Sequence, residues 1–389
     1  MNKVLIFSLL VSTSTFAESK WVSFDQEVKQ ALEDNNKSKH LGILPISLTD
    51  GVYYSKIKKE NLPKLSRFIK KSLKRHGGFI QHPERPSARK RILSQKSWRE
   101  NNIKYSINKK TEVKVAMDLL SEPNISKDII HLTSYHTRYH ASKEGLETMQ
   151  WIYNNWKELT AHRNDVSIEY YKHKESPQPS VILTIKGKSD KRIIVGGHAD
   201  SINTDDEGIH SHAPGANDNA AGIGVLNEIL RVLMKTNFKP TKTVQFIAYA
   251  AEEVGILGSY EIAREYAEKD IEVDGILQID GVNYKGTTYD MALIDDNTSK
   301  KQNNFLAMII DEYLKVNWGY VPCGYGCSDH AAWNYESYHA SFPVDAIPSE
   351  QNPYEHTSED TFDKSNNNAV HALMFAKIGV AYTIELDNL

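Results

Sequence analysis

From about residue 111 to the C-terminus, short apolar runs alternate with longer segments that have the period of an amphipathic helix. Four of these runs are rich in β-branched and aromatic residues and predict strands at residues 180–185, 192–195, 243–248 and 275–279. Segment 220–234 places its large apolar side chains on one helical face. Strands that alternate with helices predict an α/β fold, in which a mostly parallel sheet is covered by helices on both faces.

The first 17 residues have the pattern of a Sec-type signal peptide. Lys3 provides a positive start, residues 4–16 form a short and mostly apolar stretch, and residues 15–17 end in a small residue suited to cleavage. A membrane anchor is the alternative, but a spanning helix needs about 20 apolar residues and the stretch at residues 4–16 is shorter. No later segment of the sequence is long and apolar enough to span either. We therefore expect export to the extracellular space.

The segment between Lys56 and Lys110 is strongly basic. It carries 18 Lys or Arg residues and three acidic residues, although the whole chain has 47 basic and 50 acidic residues. A basic segment ahead of an acidic body predicts a detachable N-terminal unit that is attracted to the rest of the protein. A solvated basic subdomain is the alternative. Arg89-Lys90-Arg91 and Lys109-Lys110 are candidate protease sites. The overall net charge of −3 gives no indication of nucleic acid binding.

The only two cysteines are Cys323 and Cys327. In an exported protein this spacing predicts a local disulfide, whereas two buried free thiols are the alternative. A disulfide that closes so short a loop stabilises the fold only modestly. Its expected role is to stiffen the wall of a site.

Three of the predicted strands end beside side chains that commonly bind metals. These side chains are His198, Glu252 with the adjacent Glu253, and Asp280. Ligands bind at the carboxyl ends of strands in open α/β sheets, so these residues are expected at one edge. Taken singly, each has an ordinary explanation as a turn residue or a solvated side chain. These ordinary roles do not explain the group as a whole, because neither of them accounts for the position of all these residues directly after apolar strands.

Asp218 follows a polar stretch of about twenty residues, a length of irregular chain that is usually functional. It directly precedes the predicted helix, so it would lie at the same edge of the sheet; a helix N-cap is the alternative role. A mixture of imidazole and carboxylate ligands suits zinc, and a carboxylate that bridges would hold two ions. Asp218 is the candidate bridge.

Several short motifs in this part of the chain resemble those of the secreted bacterial leucyl aminopeptidases, which are related to peptidase family M28. The resemblance extends from about residue 111 to the C-terminus and rests on motifs at residues 196–201, 213–220, 250–255, 277–280, 323–330 and 355–357. It implies a three-layer zinc-exopeptidase fold with a mixed, mostly parallel central sheet, preceded by a small basic prosegment domain. The domains implied are a signal peptide (1–17), a prosegment (18–108) and a catalytic zinc aminopeptidase domain (109–389).

The resemblance also implies a co-catalytic site for two Zn²⁺ ions. Asp218 would bridge the ions, Glu253 and His356 would complete one site, and His198 and Asp280 would complete the other. Outside this ligand set, the implied supporting residues are Asp200, which would accept the second ring N–H of His198, and His330.

The two ions would lower the pKa of a shared water and polarise the peptide carbonyl. Glu252 resembles the acidic residue of this family that is not a metal ligand. It would therefore take the proton of the water and deliver it to the leaving amine. Tyr325 would donate to the developing oxyanion, although an aromatic on the pocket wall is the alternative. Cys323 and Cys327 resemble the disulfide of the family's substrate loop. The implied substrates are peptides with a free N-terminus, and we expect a monomer.

The resemblance weakens in the side-chain pocket. Ile294, Phe342 and Val344 keep the apolar character of leucine-preferring relatives, but Gly281 stands where those relatives have a larger apolar residue and Glu355 replaces an aliphatic residue. If Glu355 faces the pocket, the substrate preference would shift toward Lys or Arg, or broaden. The alternative is that Glu355 points to solvent. Other functions left open are a glutaminyl cyclase with one zinc, a carboxypeptidase, and an inactive hydrolase-like binding protein.

Overall fold

The computed structural model describes residues 18–43, 46–49, 52–73, 78–82, 103–206 and 208–388. The predicted signal peptide and the candidate cleavage site at Arg89-Lys90-Arg91 lie outside the described residues. In the described part of the chain, no helix combines the length and hydropathy that crossing a membrane requires.

The described residues before position 83 form a small antiparallel sheet with helices packed on it. The strands are β1 (Ser19–Phe24), β2 (Ser47–Thr49), β3 (Val52–Lys58) and β4 (Ile80–His82), in the order β2-β3-β1-β4, and the helices are α1 (Gln26–Asp34), α2 (Lys37–His40) and α3 (Leu62–Leu73). Asp25 caps α1 by accepting the N–H of Val28 at 3.0 Å. Leu32 from α1 and Leu65 from α3 are buried against Val22 of the sheet. We call these described residues the N-terminal unit.

A six-stranded mixed sheet forms the centre of the larger unit. Its strands are β5 (Val166–Tyr171), β6 (Ser180–Ile185), β7 (Ser189–His198), β8 (Lys242–Tyr249), β9 (Val273–Gln278) and β12 (Ala340–Ser341). The order is β12-β9-β7-β8-β6-β5, in which the first four strands are parallel, β6 is antiparallel to β8, and β5 is antiparallel to β6. A smaller sheet, in the order β11-β10-β13, contains β10 (Met291–Ile294), β11 (Trp318–Val321) and β13 (Pro343–Val344).

Helices cover both faces of the large sheet. They are α4 (Lys110–Met117), α5 (Glu122–Thr133), α6 (Lys143–Leu159), α7 (Ala221–Lys235), α8 (Leu257–Glu268), α9 (Lys300–Ile309), α10 (His330–Tyr335) and α11 (Val370–Leu386). Successive side chains of β7 point to opposite faces, so Ile193 and Val195 pack under α7 and α11 whereas Ile194 packs under α8 and α10. The α/β fold with a mostly parallel, two-sided sheet is therefore confirmed.

The segment that precedes α4 packs on the larger unit. Tyr105 stacks on Phe305 with ring centroids 4.9 Å apart. The backbone N–H groups of Asn108 and Lys109 donate to the carboxylate of Glu385 at 2.7 and 3.0 Å. These contacts hold residues 103–109 to the core, including one member of the candidate protease site Lys109-Lys110.

Candidate metal centre and active site

The predicted ligands come from neighbouring strands that end at the same edge of the sheet. His198 is the last residue of β7, while Glu253 and Asp280 follow β8 and β9, the two strands that flank β7. Asp218 lies immediately before α7, and its peptide bond to Asn219 is cis. The chain after the small sheet contributes His356, so all five predicted ligands meet at this edge.

The carboxylate of Asp218 lies between two imidazoles. Its Oδ1 is 3.0 Å from Nε2 of His198, and its Oδ2 is 2.8 Å from Nε2 of His356. On one side, Nε2 of His198 is 3.2 Å from Oδ1 of Asp280. On the other, Nε2 of His356 is 2.8 Å from Oε2 of Glu253. The five side chains therefore form two groups of three that share Asp218, with one oxygen facing each group.

The donor set fits divalent cations. Ligand atoms of His198, Asp218 and Glu253 lie within 4.8 Å of one another, and all three residues are buried. Neither carboxylate oxygen of Glu253 makes a well-formed hydrogen bond, although the group is buried. Burial, with the nearby Asp218, raises the pKa of Glu253 to about 7. Because buried acids need a compensating partner, this cluster fits zinc, which favours mixed imidazole and carboxylate ligands.

The two histidines are held in an acidic environment. Burial acts to lower the pKa of His356, but the carboxylates of Glu253 and Asp218 outweigh it and raise this pKa well above its ordinary value. The pKa of His198 is also raised, because Asp280, Asp200 and Asp218 together outweigh its burial. The field at this edge therefore attracts positive charge.

Asp200 contacts the site through its main-chain oxygen as well as through the carboxylate that the sequence analysis singled out. Nδ1 of His198 lies 3.1 Å from the main-chain oxygen of Asp200 and 3.6 Å from its carboxylate. The carboxylate instead accepts the backbone N–H groups of Glu252 and Glu253, at 3.0 and 3.2 Å. Asp200 therefore orients His198 through its carbonyl and positions the two glutamates through its side chain.

Arg138 holds the loop that connects His198 to Asp218 through hydrogen bonds, a role that no sequence pattern indicated. Its guanidinium is buried and donates to four main-chain carbonyls, those of Leu132, Ala199, Pro214 and Gly215. Burial lowers the pKa of Arg138 to about 10, although Asp218, Asp360 and other acids oppose the shift. One side chain thus fixes both ends of the loop.

Asp360 is a second supporting residue that sequence reasoning missed. Its carboxylate accepts the N–H of Asn217 at 3.2 Å and the N–H of Asp218 at 3.1 Å. Asn352 donates to the same carboxylate at 2.8 Å. Burial beside Asp218 raises the pKa of Asp360 to about 6. The backbone at Asp218 is therefore held in place by hydrogen bonds to a second buried acid, Asp360.

Glu252 and Tyr325 line the same cavity as the metal-type residues. Glu252 is half-buried, and burial raises its pKa well above the ordinary value despite the nearby His198. No described contact joins its carboxylate to the predicted ligands, so Glu252 is distinct from its neighbour Glu253, which faces His356. Tyr325 is buried on the cavity wall.

The predicted side-chain pocket forms part of this cavity. Ile294, Phe342 and Val344 cluster with Cys323 and Cys327, which form the predicted disulfide. This cluster gives the cavity one apolar wall, and the disulfide lies within it.

Glu355 faces this pocket and is buried. Its Oε1 accepts from the side-chain amide of Asn217 at 3.2 Å. Gly281 has a φ of +56°, a left-handed conformation that favours glycine, and a Cβ added there would lie 3.9 Å from Oε1 of Glu355. Asp345, a second buried acid that the sequence did not indicate, also lines the cavity. Burial raises the pKa of Glu355, and the nearby acids add to the shift.

His330, a predicted supporting residue, packs on the pocket residue Phe342. It is buried and stacks on Phe342 at a centroid distance of 4.7 Å, and neither ring nitrogen makes a hydrogen bond. Ser328, two residues before His330, contacts a predicted ligand directly: its hydroxyl donates to Oδ2 of Asp280 at 2.6 Å.

Comparison with known proteins decides the family. Residues 180–380 match the model of peptidase family M28. The chain belongs to this family. The M28 chain is 31% identical over 320 residues to a probable leucine aminopeptidase of Arthroderma benhamiae, an alignment that covers 81% of this chain and 87% of the relative. The LapA aminopeptidase of Legionella pneumophila superposes with a TM-score of 0.81 at 27% identity, over 96% of this chain and all of that one.

This M28 chain is therefore an aminopeptidase and a hydrolase, of a family whose members are typically metalloenzymes that use zinc. A glutaminyl cyclase from Fimbriiglobus ruber also superposes, with a TM-score of 0.54 at 15% identity over 69% of this chain and 96% of that one. At this identity the likeness shows a shared fold alone.

Proposed function

We propose that the chain is a secreted two-zinc aminopeptidase that removes single residues from the free N-terminus of peptides. The observation that carries the proposal is the position of Asp218, with one carboxylate oxygen toward His198 and the other toward His356. A carboxylate with a histidine at each oxygen is suited to hold two cations side by side. Asp280 and Glu253 would complete the two ligand sets.

Proton transfer and stabilisation of the oxyanion are assigned to side chains of the protein. Bound zinc would supply an activated water and a polarised peptide carbonyl. Glu252 would accept the proton of the attacking water and transfer it to the leaving amine, since its carboxylate lines the cavity without being a ligand. The hydroxyl of Tyr325 would donate to the oxyanion that develops at the scissile carbonyl.

The test combines metal analysis with a panel of substrates. We expect two zinc ions per chain, hydrolysis of amides that have a free α-amine, no hydrolysis of N-blocked peptides, and loss of activity with a chelator. One zinc per chain together with pyroglutamate formation would instead indicate a glutaminyl cyclase, cleavage of N-blocked peptides a carboxypeptidase, and inactivity of the zinc-loaded chain a binding protein.

We further propose that the first substrate residue is preferentially Lys or Arg. The carboxylate of Glu355 is buried in the pocket, and Asp345 adds a second acid to the lining. A lysyl or arginyl side chain would place its positive charge beside these two buried acids, a favourable interaction where little water is present. A leucyl side chain would fill the same space without bringing a positive charge to either acid.

Replacing Glu355 with Ile should reverse this preference. We expect the ratio of kcat/KM for the lysyl amide to that for the leucyl amide to fall about 10- to 100-fold, because the acidic partner of the ammonium is lost. The measurement is steady-state hydrolysis of the two amides by both proteins. Glu350→Gln is the control, since Glu350 is a half-buried acid that binds Thr287 and Thr288 and does not line the cavity. An unchanged ratio in Glu355→Ile would reject the proposal.

The segment 18–108 is proposed to act as a prosegment that limits access to the site until the chain is cut. Cleavage at Arg89-Lys90-Arg91 fits better than cleavage at Lys109-Lys110, because the backbone and ammonium of Lys109 are held by Glu385 and Asp387. Residues 103–108 pack on the core, so after such a cleavage they would remain with the catalytic domain and only the part of segment 18–108 before the cut would be released. Export through residues 1–17 is part of the same proposal.

A further inference from the structure

The loop that carries Tyr325 depends on attachments to the rest of the protein. This Tyr325 loop (residues 322–327) begins directly after β11, and the disulfide between Cys323 and Cys327 closes it on itself. A disulfide of this short span limits the shapes that the loop can take. Because it joins two residues of the same loop, it does not determine where the loop lies over the sheet.

Asp296 attaches the beginning of the Tyr325 loop. Its Oδ1 accepts the backbone N–H of Cys323 at 2.7 Å, and its Oδ2 accepts the backbone N–H of Gly324 at 2.8 Å. Two successive N–H groups that point the same way form a concave site for an anionic group. Hydrogen bonds to a carboxylate are roughly twice as strong as those between neutral groups. One side chain therefore holds the two backbone groups that come just before Tyr325.

Gly324 allows the backbone to adopt the conformation that presents these two N–H groups. Its φ is +88°, in the region that favours glycine. A Cβ added at this position would meet no atom of the described residues within 4 Å, so the backbone conformation, and not a lack of space, favours glycine here. The chain turns at Gly324, and the next residue, Tyr325, is buried on the cavity wall.

The turn that contains Asp296 is itself fixed to the pocket wall. Asp296 lies two residues after Ile294, the last residue of β10. The hydroxyl of Thr298 donates to the carbonyl of Ile294 at 2.9 Å, and the side-chain amide of Asn303 in α9 donates to the same carbonyl at 2.9 Å. The position of Asp296 is therefore determined by a buried strand and a helix.

The far end of the Tyr325 loop is attached beside the metal-type residues. The side-chain amide of Gln278, the last residue of β9, donates to the hydroxyl of Ser328 at 2.9 Å and to Oδ2 of Asp329 at 2.9 Å. Ser328 in turn donates to Asp280, a predicted ligand. With this end fixed, the bonds to Asp296 at the other end determine how the loop is rotated about it, and hence where the Tyr325 hydroxyl lies.

We propose that Asp296 is a positioning residue for the reaction, which holds the hydroxyl of Tyr325 at the place where the oxyanion develops. The inference rests on the proposed aminopeptidase function, in which this hydroxyl donates to the oxyanion. Asp296 is not among the residues that line the described cavity, so it acts through Tyr325 and not on the substrate. A donor must lie roughly 2.7–3.1 Å from the oxyanion. A displacement of about 1 Å can lower the rate about 10²-fold.

The test is a double-mutant cycle on the full chain, with every variant prepared and activated in the same way. Asp296→Asn keeps the size of the side chain but has one acceptor oxygen for two N–H groups. We expect it to lower kcat for a small aminoacyl amide about 10- to 100-fold. KM should change less than about threefold and the zinc content should stay the same, because the affected contact is made only in the transition state.

Tyr325→Phe removes the hydroxyl and should lower kcat about 10²- to 10³-fold, the usual effect of losing one oxyanion donor. Adding Asp296→Asn to Tyr325→Phe should change kcat less than about twofold further, because the group that Asp296 positions is already absent. A residue that only stabilised the fold would instead lower activity by the same factor in both backgrounds. The cycle therefore separates a positioning role from a general structural one.

Asp295→Asn is the matched control. Asp295 is the neighbouring acid of the same turn and is exposed, and its backbone N–H, which the variant keeps, donates to the carbonyl of Val321 at 3.1 Å. Its kcat should stay within about twofold of the wild-type value.

Four results would overturn the positioning role alone: wild-type kcat in Asp296→Asn, loss of zinc in that variant, an equal loss of kcat in Asp295→Asn, or losses that multiply in the double variant. Wild-type kcat in Tyr325→Phe would also overturn it, because the hydroxyl would then have no effect on the reaction. Failure of the zinc-loaded wild type to hydrolyse any amide with a free α-amine would instead reject the proposed function, and this inference with it.

Discussion

Replacing Glu252 with Gln should lower kcat about 10²- to 10⁴-fold, the usual contribution of a general base, while leaving the zinc content unchanged. The amide keeps the shape of the side chain but cannot accept the proton of the water. The backbone N–H of Glu252 remains bonded to Asp200, so the local fold is expected to persist. Steady-state hydrolysis of an aminoacyl amide and metal analysis of the same sample provide the measurement.

The adjacent residue supplies the control. Glu253→Gln removes a predicted ligand and should lose zinc together with activity, because Oε2 of Glu253 faces His356 at 2.8 Å. If Glu252→Gln loses zinc, or retains more than about a tenth of wild-type kcat, Glu252 is not the general base. The pair thus separates proton transfer from metal binding at neighbouring positions.

The sequence predicted the sheet and four of the metal-type residues (His198, Asp218, Glu253 and Asp280) from local patterns, whereas His356 was identified only through the family resemblance. Apolar strands were recognisable from their composition, and strands β6, β7 and β8 lie where they were predicted. Residues that end parallel strands lie together at one edge, which explains why His198, Glu253 and Asp280 meet. The helix predicted at residues 220–234 is present as α7, one residue later.

The supporting residues could not be predicted in this way. Arg138, Asp360 and the carboxylate of Asp200 act through hydrogen bonds to backbone groups that are distant in sequence. A single polar residue in a loop has no period, so its partner becomes visible only when the chain is folded. The sequence pointed to the Asp200 carboxylate as the partner of His198, and in the structure the main-chain oxygen of Asp200 lies closer to the ring than the carboxylate does.

Charge patterning indicated an association of the basic segment with the acidic body but not its position. Among the described residues, Lys59 pairs with Glu175 at 3.3 Å, but Arg67 and Lys70 donate to main-chain carbonyls and Gln81 binds a turn, so charge pairing alone does not define the position. Long-range attraction favours an encounter, whereas hydrogen bonds and packing determine where the partners bind.

Replacing Arg138 with Met should reduce the free energy of unfolding by about 3–5 kcal/mol and weaken zinc binding about 10- to 100-fold. Methionine leaves the four carbonyls that Arg138 binds without their donor in a buried place. The loop between His198 and Asp218 then loses the bonds that fix both of its ends. Denaturant unfolding and competition with a chelator measure the two effects.

Arg163→Met separates the structural effect from the effect on the metal. Arg163 is also buried and donates to the carbonyl of Phe238 and to Asp165, but these residues are not part of the site. Its loss should destabilise the fold without changing zinc affinity. Arg138→Lys should fall between wild type and Arg138→Met, because an ammonium lacks the planar fork that reaches several carbonyls. Equal zinc affinity in Arg138→Met and Arg163→Met would show that the loop keeps its ligands in place without the guanidinium.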